Sequence, residues 1–240
     1  MVKIINSKQN NKIKEVASLK ENKNRKKTNL FLSEGYKNLE MALKNHAVKE
    51  IFSLKEIEGI DTNIDQYIIS EEILNKLTTS KNPEGVCFVS EKLDLKPKKL
   101  DKIIYLDTLQ DPGNVGTIIR TALAFDYDLI CMSKNCVDIY NDKVIASSKG
   151  AIFEMPIETD CDIQKFKNNY PIIVSTLDDE SKNLDEIKQL EKFVLVIGNE
   201  AHGVSQEIID IATEKVKISI KNIDSLNAAI AAGILMYHFK

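Results

Sequence analysis

The chain has 240 residues, 43% of them hydrophobic, and a formal net charge of −3. This size and composition allow a substantial core in one large or two modest domains and argue against a disordered protein. The sequence contains no run of about 18 apolar residues, and its N-terminus lacks the apolar segment of a signal peptide. We therefore expect a soluble protein that resides in the cytoplasm and has no membrane partner.

Positive charge is concentrated at the N-terminal end. Residues 1–30 hold nine Lys and Arg side chains against two glutamates, a net of +7, so the other 210 residues total −10. Such a segment suits the capture of a polyanion, because each neutralised phosphate releases counterions. A solvated lysine-rich helix face would give the same pattern, and charge alone leaves both interpretations open. The candidate RNA contacts are Lys12, Lys23, Arg25, Lys26 and Lys27.

The four cysteines are Cys87, Cys131, Cys136 and Cys161. They show no C-x-x-C spacing, which indicates neither a zinc site nor a disulfide framework. We expect buried, reduced thiols and no bound metal.

Residues 1–92 alternate between helical and strand patterns and predict a small α/β domain. Helices are expected at 8–20, 36–45 and 71–79, the last opened by Ser70, and strands at 30–34, 48–53, 66–70 and 84–90. Residues 91–101 are charged, contain Pro97 and lack periodicity. We therefore place a linker at 93–101 and a second domain at 102–240.

The second domain has apolar runs that alternate with helical segments. Strands are expected at 103–107, 128–132, 171–175, 193–197 and 216–220, and helices near 115–125, 142–149, 183–190, 205–212 and 225–239. This alternation favours a mostly parallel sheet with helices on both faces. Ligands in such sheets bind beyond the carboxyl ends of the strands, so the turns that follow strands are the candidate sites.

Three of these turns have distinctive chemistry. They are "DPGNVG" at 111–116, "GNEAHGVS" at 198–205, and "DSLN" at 224–227, where Asp224 or Ser225 is expected to cap the last helix. Taken singly, each is typical of an ordinary turn or helix cap. Neither a phosphate-loop nor a dinucleotide fingerprint is present, which disfavours an unrelated nucleotide-binding enzyme of doubly wound fold.

Together and in this order, the turns indicate a family. "LDTLQDPGNVGTIIRTALAF", "LVIGNEAHGVS", and "ISI" followed by "SLNAAIAAGIL" resemble the three motifs of the SpoU (TrmH-like) RNA ribose 2'-O-methyltransferases of the SPOUT superfamily, and "SSKGAIFEMPI" resembles their intermotif segment. Residues 1–92 are similar to the ribosomal-protein-type RNA-binding domain that many members carry. The resemblance implies a deep trefoil knot, an exception to unthreaded topology, in a C-terminal α/β domain. It also implies S-adenosylmethionine as cofactor, RNA, above all ribosomal RNA, as substrate, and a homodimer formed through that domain.

The resemblance also assigns roles to single residues. It places the cofactor against Gly198, Ile220 and Leu226, and it makes Arg120 the residue that activates the ribose hydroxyl. A guanidinium stays protonated, so a clamp on the phosphate and on the developing oxyanion is a better role for it than a general base. Asn114, Glu200, Ser225 and Asn227 are the family positions that would orient Arg120 and the ribose.

Three departures from the family pattern bear on activity. The segment "KNID" at 221–224 is shorter than usual, Asp126 stands where a glycine is usual, and Ala146 stands where an arginine is frequent. An RNA-binding member that has lost its cofactor is therefore the alternative function. In the last helix, Leu226, Ile230, Ile234 and Tyr237 recur on one face beside small residues. Burial within one domain or a dimer seam would explain that face.

Overall fold

The structure is a computed structural model that describes residues 2–178 and 180–240. It divides into two compact units, Met1–Asp94 with Tyr140–Glu154, and Leu95–Ile139 with Met155–Lys240. The predicted second domain was the continuous block 102–240. The structure instead groups 140–154 with the first unit and includes 95–101 in the second.

The N-terminal part of the first unit contains five strands and four helices, close to the predicted α/β pattern. They are β1 (Val2–Ile5), α1 (Asn11–Ser18), α2 (Asn22–Thr28), β2 (Leu30–Glu34), α3 (Tyr36–Lys44), β3 (Val48–Ser53), β4 (Asp65–Ile69), α4 (Glu71–Leu77) and β5 (Val86–Glu91). The sheet order is β1-β4-β3-β5-β2, and β5 is antiparallel to both of its neighbours. Ser70 caps α4 as predicted, since its hydroxyl accepts from Ile73 N–H at 3.4 Å. Strand β1 and helix α2 were not predicted.

The rest of the chain continues from a segment without helix or strand at 92–101, of which residues 95–101 belong to the second unit. Its elements are β6 (Lys102–Leu106), α5 (Pro112–Ala124), β7 (Leu129–Met132), α6 (Asp142–Ser148), β8 (Ile157–Glu158), β9 (Ile172–Ser175), β10 (Lys182–Asn183), β11 (Phe193–Ile197), α7 (Gln206–Ile209), β12 (Glu214–Lys217) and α8 (Ala228–His238). Single turns of 3₁₀ helix cover Ala151–Phe153, Ile163–Phe166 and Leu184–Glu186.

Helix α6 and the 3₁₀ turn after it complete the core of the first unit. The Phe31 ring lies 4.6 Å from the Tyr140 ring and 5.7 Å from the Phe153 ring, measured between centroids. Phe31 and Phe153 are each 1% exposed. Aromatic burial on this scale is a large part of the stability of a small domain, which explains why 140–154 belongs to this unit.

The second unit is built on a seven-stranded sheet of order β10-β12-β9-β11-β6-β7-β8. Every neighbouring pair in it is parallel. The predicted α/β fold with a large parallel sheet is thus confirmed. Alternate residues of the three central strands β6, β9 and β11 form one apolar cluster with Val204 and Ile208; these strand residues are Ile103, Tyr105, Ile172, Val174, Val194 and Val196. No helix in the described part of the chain is both long enough and apolar enough to span a membrane.

Two local features explain the course of the chain around α5. Asp111 caps this helix by accepting from Asn114 N–H at 2.7 Å, and Pro112 occupies its first turn, where a missing N–H is harmless. Beyond the helix, Asp126 adopts a left-handed conformation with φ 56°. Glycine adopts this conformation most readily and aspartate tolerates it, so the departure from the family's glycine is compatible with the turn.

Candidate active site

A cleft of about 450 Å³ opens beyond the carboxyl ends of β9 and β11, where the parallel sheet predicts a ligand site. Gly198, Ile220 and Leu226, the three predicted cofactor residues, all line it. Glu200 and Ser225 line it as well. The structure therefore brings five of the predicted residues to one cavity, and the short segment 221–224 still allows residues on both sides of it to reach the cleft wall.

Position 198 requires a glycine, because the main chain of residues 203–204 passes very close to it. A Cβ at this position would lie 2.3 Å from the carbonyl carbon of Gly203 and 2.4 Å from Val204 N. The reason is the turn that follows, in which Asn199 N–H donates to Gly203 O at 2.8 Å and Gly203 N–H donates to Asn199 O at 2.9 Å. The structure therefore gives Gly198 a task in the fold, the close approach of the backbone at 203–204, in addition to its place in the cleft wall.

Three predicted catalytic residues form a hydrogen-bonded chain. Asn227 Nδ2 donates to Asn114 Oδ1 at 2.8 Å, and Asn114 Nδ2 donates to Glu200 Oε1 at 3.0 Å. Asn227 Oδ1 accepts from the N–H groups of Ala229 and Ile230, which fixes the orientation of its amide. The fixed Asn227 amide in turn fixes the orientation of the Asn114 amide, whose NH₂ group then faces Glu200. The N-cap of α8 therefore determines how the Glu200 carboxylate is held. We call this hydrogen-bonded series, Asn227–Asn114–Glu200, the Asn–Asn–Glu relay.

The cap itself differs from the prediction. Asp224 or Ser225 was expected to cap the last helix, and this prediction is wrong, because Asn227 is the N-cap residue of α8. The helix consequently begins three residues later than the predicted 225. Ser225 and Leu226 are left in the preceding segment, where both line the cleft.

The relay predicts a specific effect for Asn114→Asp. The substitution replaces the amide that donates to Glu200 with a second carboxylate at a position that is 8% exposed. We expect a loss of about 2 kcal/mol in the free energy of unfolding, measured by urea denaturation, and a drop of about tenfold or more in methyl transfer. The stability deficit should shrink as the pH falls and one carboxyl takes up a proton.

Asn169→Asp provides the matched control, because Asn169 is exposed in the same unit. It should change the free energy of unfolding by less than about 0.5 kcal/mol. Equal effects of the two variants would contradict the relay.

Arg120 does not join the relay within one chain. It lies on the exposed side of α5, and among residues 2–178 and 180–240 no hydrogen bond or ion pair of its guanidinium is found. Ser225 is exposed too, and its hydroxyl has no hydrogen-bond partner in the described part of the chain. The geometry thus brings Asn114, Glu200 and Asn227 together and leaves Arg120 and Ser225 open to a ligand.

The cleft carries negative charge beside its apolar walls. Asp178 lines it together with Glu200. The Ser181 hydroxyl, which donates to the Asp178 carboxylate at 2.8 Å, and the nearby Lys215 ammonium lower the pKa of Asp178 below its usual value. Asp178 therefore remains charged at neutral pH. A volume of this size with apolar walls and two carboxylates fits S-adenosylmethionine, which combines an adenine ring with a cationic sulfonium.

Sequence reasoning missed two residues that hold the second motif in place. Asn199 Nδ2 donates to Thr108 O at 2.8 Å, and Asn199 Oδ1 accepts from Ala201 N–H at 2.9 Å. The buried Asp107 carboxylate accepts from Ser205 N–H at 2.8 Å. Both lie inside the quoted motifs. The available signal was a polar residue within two positions of the end of a buried strand, since Asp107 directly follows β6 and Asn199 is the second residue after β11.

The predicted RNA-contacting side chains differ in whether they are exposed and whether they already bind other groups of the protein. Lys12 Nζ lies 2.6 Å from Glu50, and Lys23 Nζ lies 3.1 Å from Glu21. Arg25 is 5% exposed and donates to the carbonyl oxygens of Leu19 and Lys20 at 2.9 and 2.7 Å. The prediction for Arg25 is therefore wrong, since its guanidinium serves the fold. Two side chains of the predicted set are exposed and have no ion pair within the described residues, Lys26 and Lys27.

The family follows from comparison with known proteins. Residues 101–237 match the SpoU rRNA Methylase family, and residues 10–87 match the MRM3-like substrate binding domain. Because the first match covers more than half of the chain, the protein belongs to the SpoU rRNA methylase family, and the predicted family is confirmed.

Individual relatives agree with this assignment. The 23S rRNA (guanosine(2553)-2'-O)-methyltransferase RlmP of Bacillus subtilis (strain 168) is 32% identical over 255 residues, which cover 100% of each chain. The mitochondrial rRNA methyltransferase 3 of Mus musculus is 25% identical over 90% of this chain and 68% of its own length. The crystal structure of an AdoMet-bound rRNA methyltransferase from Sinorhizobium meliloti superposes with a TM-score of 0.88 at 26% identity, covering 99% of this chain and 97% of the other.

Proposed function

We propose that this protein transfers a methyl group from S-adenosylmethionine to a ribose 2'-hydroxyl in ribosomal RNA. The observation that carries the proposal is the cleft beyond β9 and β11, in which the predicted cofactor residues meet beside the Asn–Asn–Glu relay. The cofactor is held against Gly198, Ile220 and Leu226, the last two providing the apolar wall. When bound, it supplies a methyl group activated by a cationic sulfur.

The residues of the chain then have to align and activate a poor nucleophile. The relay holds the Glu200 carboxylate, which accepts a hydrogen bond from a ligand hydroxyl group at the mouth of the cleft. Arg120 is exposed on α5, and its planar guanidinium clamps the adjacent phosphate and stabilises negative charge that develops on the ribose oxygen. Ser225, which also lines the cleft, contributes a hydroxyl. These groups favour loss of the hydroxyl proton, which passes to water at the open mouth of the cleft.

Calorimetry combined with methyl transfer tests this function. We expect one molecule of S-adenosylmethionine to bind per chain, and labelled methyl to enter unmodified 23S rRNA transcript but not transfer RNA. Absence of cofactor binding would contradict the assignment, and binding without transfer to any RNA would contradict the activity. The Bacillus subtilis relative acts on a 23S rRNA guanosine by its name, so a guanosine of 23S rRNA in the cytoplasm is the first candidate substrate.

The N-terminal unit is proposed to bind the RNA. Its support is the match of residues 10–87 to a substrate binding domain and the exposed ammonium groups of Lys26 and Lys27 in the last turn of α2. Replacing both with Ala should weaken RNA binding. The plot of log K for RNA association against log salt concentration should become less steep by about 1 to 2, since each phosphate contact contributes about 0.7 to 0.9 to its steepness.

The control for this charge removal is Lys55→Ala with Lys188→Ala, which removes two exposed ammonium groups at other positions. The control should leave the salt slope nearly unchanged. Filter binding of labelled RNA between low and physiological salt measures both slopes. An unchanged slope in the Lys26, Lys27 variant would show that these side chains form a solvated surface only.

The C-terminal part of the second unit is proposed to form a deep trefoil knot. The support is the path of the chain after β12, which lies next to the sheet edge. From there the chain lines the cleft at Ile218, Ile220 and Leu226, as the 198–204 loop also does, and then packs α8 against α5. Tyr127 OH donates to Met236 O at 3.4 Å and ties α8 to the segment after α5.

A homodimer through the C-terminal domain is also proposed. Helix α8 buries Ala229, Ala232, Leu235 and Met236 against its own unit. Its other side exposes Ile230, Ile234 and Tyr237 at 56%, 38% and 59%, so burial within one unit does not account for them. A seam formed there by α8 and α5 would bury an apolar centre and bring Arg120 close to the partner.

Sedimentation at micromolar concentration tests the dimer. We expect a species of about twice the chain mass of 27.1 kDa. Ile230→Glu should shift it to the monomer, because a charge at the centre of an apolar seam is costly to desolvate. Exposed Leu54→Glu, in the first unit, is the control and should remain dimeric. A species of single-chain mass at all concentrations of the wild type would contradict the dimer.

A further inference from the structure

We propose that Cys131, Glu158 and Cys161 form a binding site for a soft divalent cation, with Zn²⁺ as the ion of choice. Their two sulfur atoms and one carboxylate oxygen all lie within 4.8 Å of one another. Thiolate and carboxylate ligands in one place suit zinc better than magnesium or calcium, which prefer oxygen alone. None of the three residues lines the cleft, and the proposed methyl transfer uses none of them.

The fold assembles these ligands from two adjacent strands and the turn that follows. Cys131 in β7 is the register partner of Glu158 in β8, so both side chains project from the same face of the sheet. Asp160 then adopts a left-handed conformation with φ 55°, which reverses the chain toward the sheet. Cys161 N–H donates to Met132 O at 2.9 Å, which fixes the backbone of the third ligand beside β7.

The carbonyl group of Cys161 is anchored as well. It accepts a hydrogen bond from Tyr105 OH at 3.0 Å in the interior of the unit. Both backbone groups of Cys161 are thus held. Its thiol donates over a long 3.9 Å to Asp162 O, and a bound ion would replace that proton. Ligands fixed by their supporting bonds are what a metal site requires, because little order has to be gained on binding.

The charge of the three ligands and the exposure of Glu158 suit the binding of a divalent cation. With an ion bound, two thiolates and one carboxylate would carry three negative charges, and Lys165 Nζ, which lies 2.5 Å from Glu158 Oε1, balances one of them. A divalent ion would balance the other two. Cys131 is 0% and Cys161 5% exposed, whereas the Glu158 side chain is 48% exposed. An ion therefore enters from the Glu158 side, where a water molecule can fill the fourth position.

Binding would have a structural consequence. Zinc–sulfur bonds of about 2.3 Å in tetrahedral geometry place two sulfurs about 3.8 Å apart, a separation that lies inside the 4.8 Å span of the three ligand atoms. The ion replaces the two thiol protons, which are released to solvent. Strand β8 has only two residues and pairs with β7 alone. A crosslink at this point would stabilise the edge of the sheet, in proportion to the free ion concentration.

Cobalt substitution tests the site in the full-length, tag-free, reduced protein. One equivalent of Co²⁺ should produce thiolate-to-cobalt absorption in the near ultraviolet, and Zn²⁺ should abolish it by displacement. Cys131→Ser and Cys161→Ser should each lose at least half of the absorption. Cys136→Ser is the matched control, because Cys136 lies outside the cluster and bonds to Leu106 O, and it should retain the full signal.

Glu158→Gln guards against variants that fail to fold, since this side chain lies at the exposed edge. It should keep both cobalt–thiolate bonds and weaken Zn²⁺ binding by about tenfold or more, measured by competition with a chelating dye. Zn²⁺ should raise the melting temperature of the wild type more than that of Glu158→Gln. Absence of the absorption in the reduced wild type, its persistence in the Cys131→Ser, Cys161→Ser double variant, or its loss in Cys136→Ser would overturn the proposal.

Discussion

Arg120→Ala is expected to reduce methyl transfer by about 100-fold or more while cofactor binding and the free energy of unfolding remain close to those of the wild type. The structure explains why activity should be lost while cofactor binding and stability are retained. Arg120 is exposed and makes no hydrogen bond or ion pair within residues 2–178 and 180–240, so its removal costs the fold little. Single-turnover methyl transfer, calorimetry with S-adenosylmethionine and urea denaturation measure the three quantities.

Arg120→Lys should fail to restore activity, because a point charge does not reproduce the planar fork of a guanidinium on phosphate. Thr121→Ala is the control at the next position of α5, where the hydroxyl only donates to Thr117 O within the helix. It should transfer methyl groups at a rate near that of the wild type. Full activity of Arg120→Ala or Arg120→Lys would refute the role of this residue.

Gly198→Ala is expected to have the largest effect on the fold of the second unit. The added carbon would meet main-chain atoms of Gly203 and Val204 at 2.3 and 2.4 Å, and backbone atoms of a hydrogen-bonded turn cannot move aside as a side-chain tip can. We expect a loss of about 3 kcal/mol or more in the free energy of unfolding. Because the turn forms one wall of the cleft, calorimetry should also show that cofactor binding is lost.

Ala201→Ser adds one atom to the same loop at an exposed position. It controls for the added atom as such and should change the free energy of unfolding by less than about 0.5 kcal/mol. If Gly198→Ala is as stable as Ala201→Ser, then the close approach of the two backbone segments is not a constraint in solution.

The parallel sheet of the second unit was predictable because its strands are short apolar runs separated by helical patterns. Positions 193–197 match β11 residue for residue. The last strand was less predictable, since β12 ends at Lys217 and the expected strand was 216–220. Ile218 and Ile220 line the cleft instead, so their apolar character reflects the cavity and not a sheet face. Hydropathy does not distinguish these two environments.

Other elements escaped prediction because tertiary contacts determine them. A helix was expected at 183–190, but Lys182–Asn183 pairs with β12 at the sheet edge and only a 3₁₀ turn follows. Helix α2 is polar on all sides and buries Arg25, so it has no apolar periodicity to detect. The membership of 140–154 in the first unit depends on ring contacts with Phe31, which are distant in sequence.

The sequence predicted which residues belong to the candidate site, but it could not predict the hydrogen bonds between them. The motifs identified Asn114, Glu200 and Asn227, but a pattern cannot show that one amide caps α8 and orients the next. The proposed cation site at Cys131, Glu158 and Cys161 was not predictable for the same reason. Cys131 and Cys161 are 30 positions apart and become neighbours only through the pairing of β7 with β8.

The most direct test of the account is a map of 2'-O-methylated riboses in ribosomal RNA from three strains. One lacks the gene, one is complemented with the wild type, and one is complemented with Arg120→Ala. We predict that one methylated ribose disappears in the deletion strain, returns with the wild type and stays absent with Arg120→Ala. An identical methylation map in all three strains would contradict the proposed function.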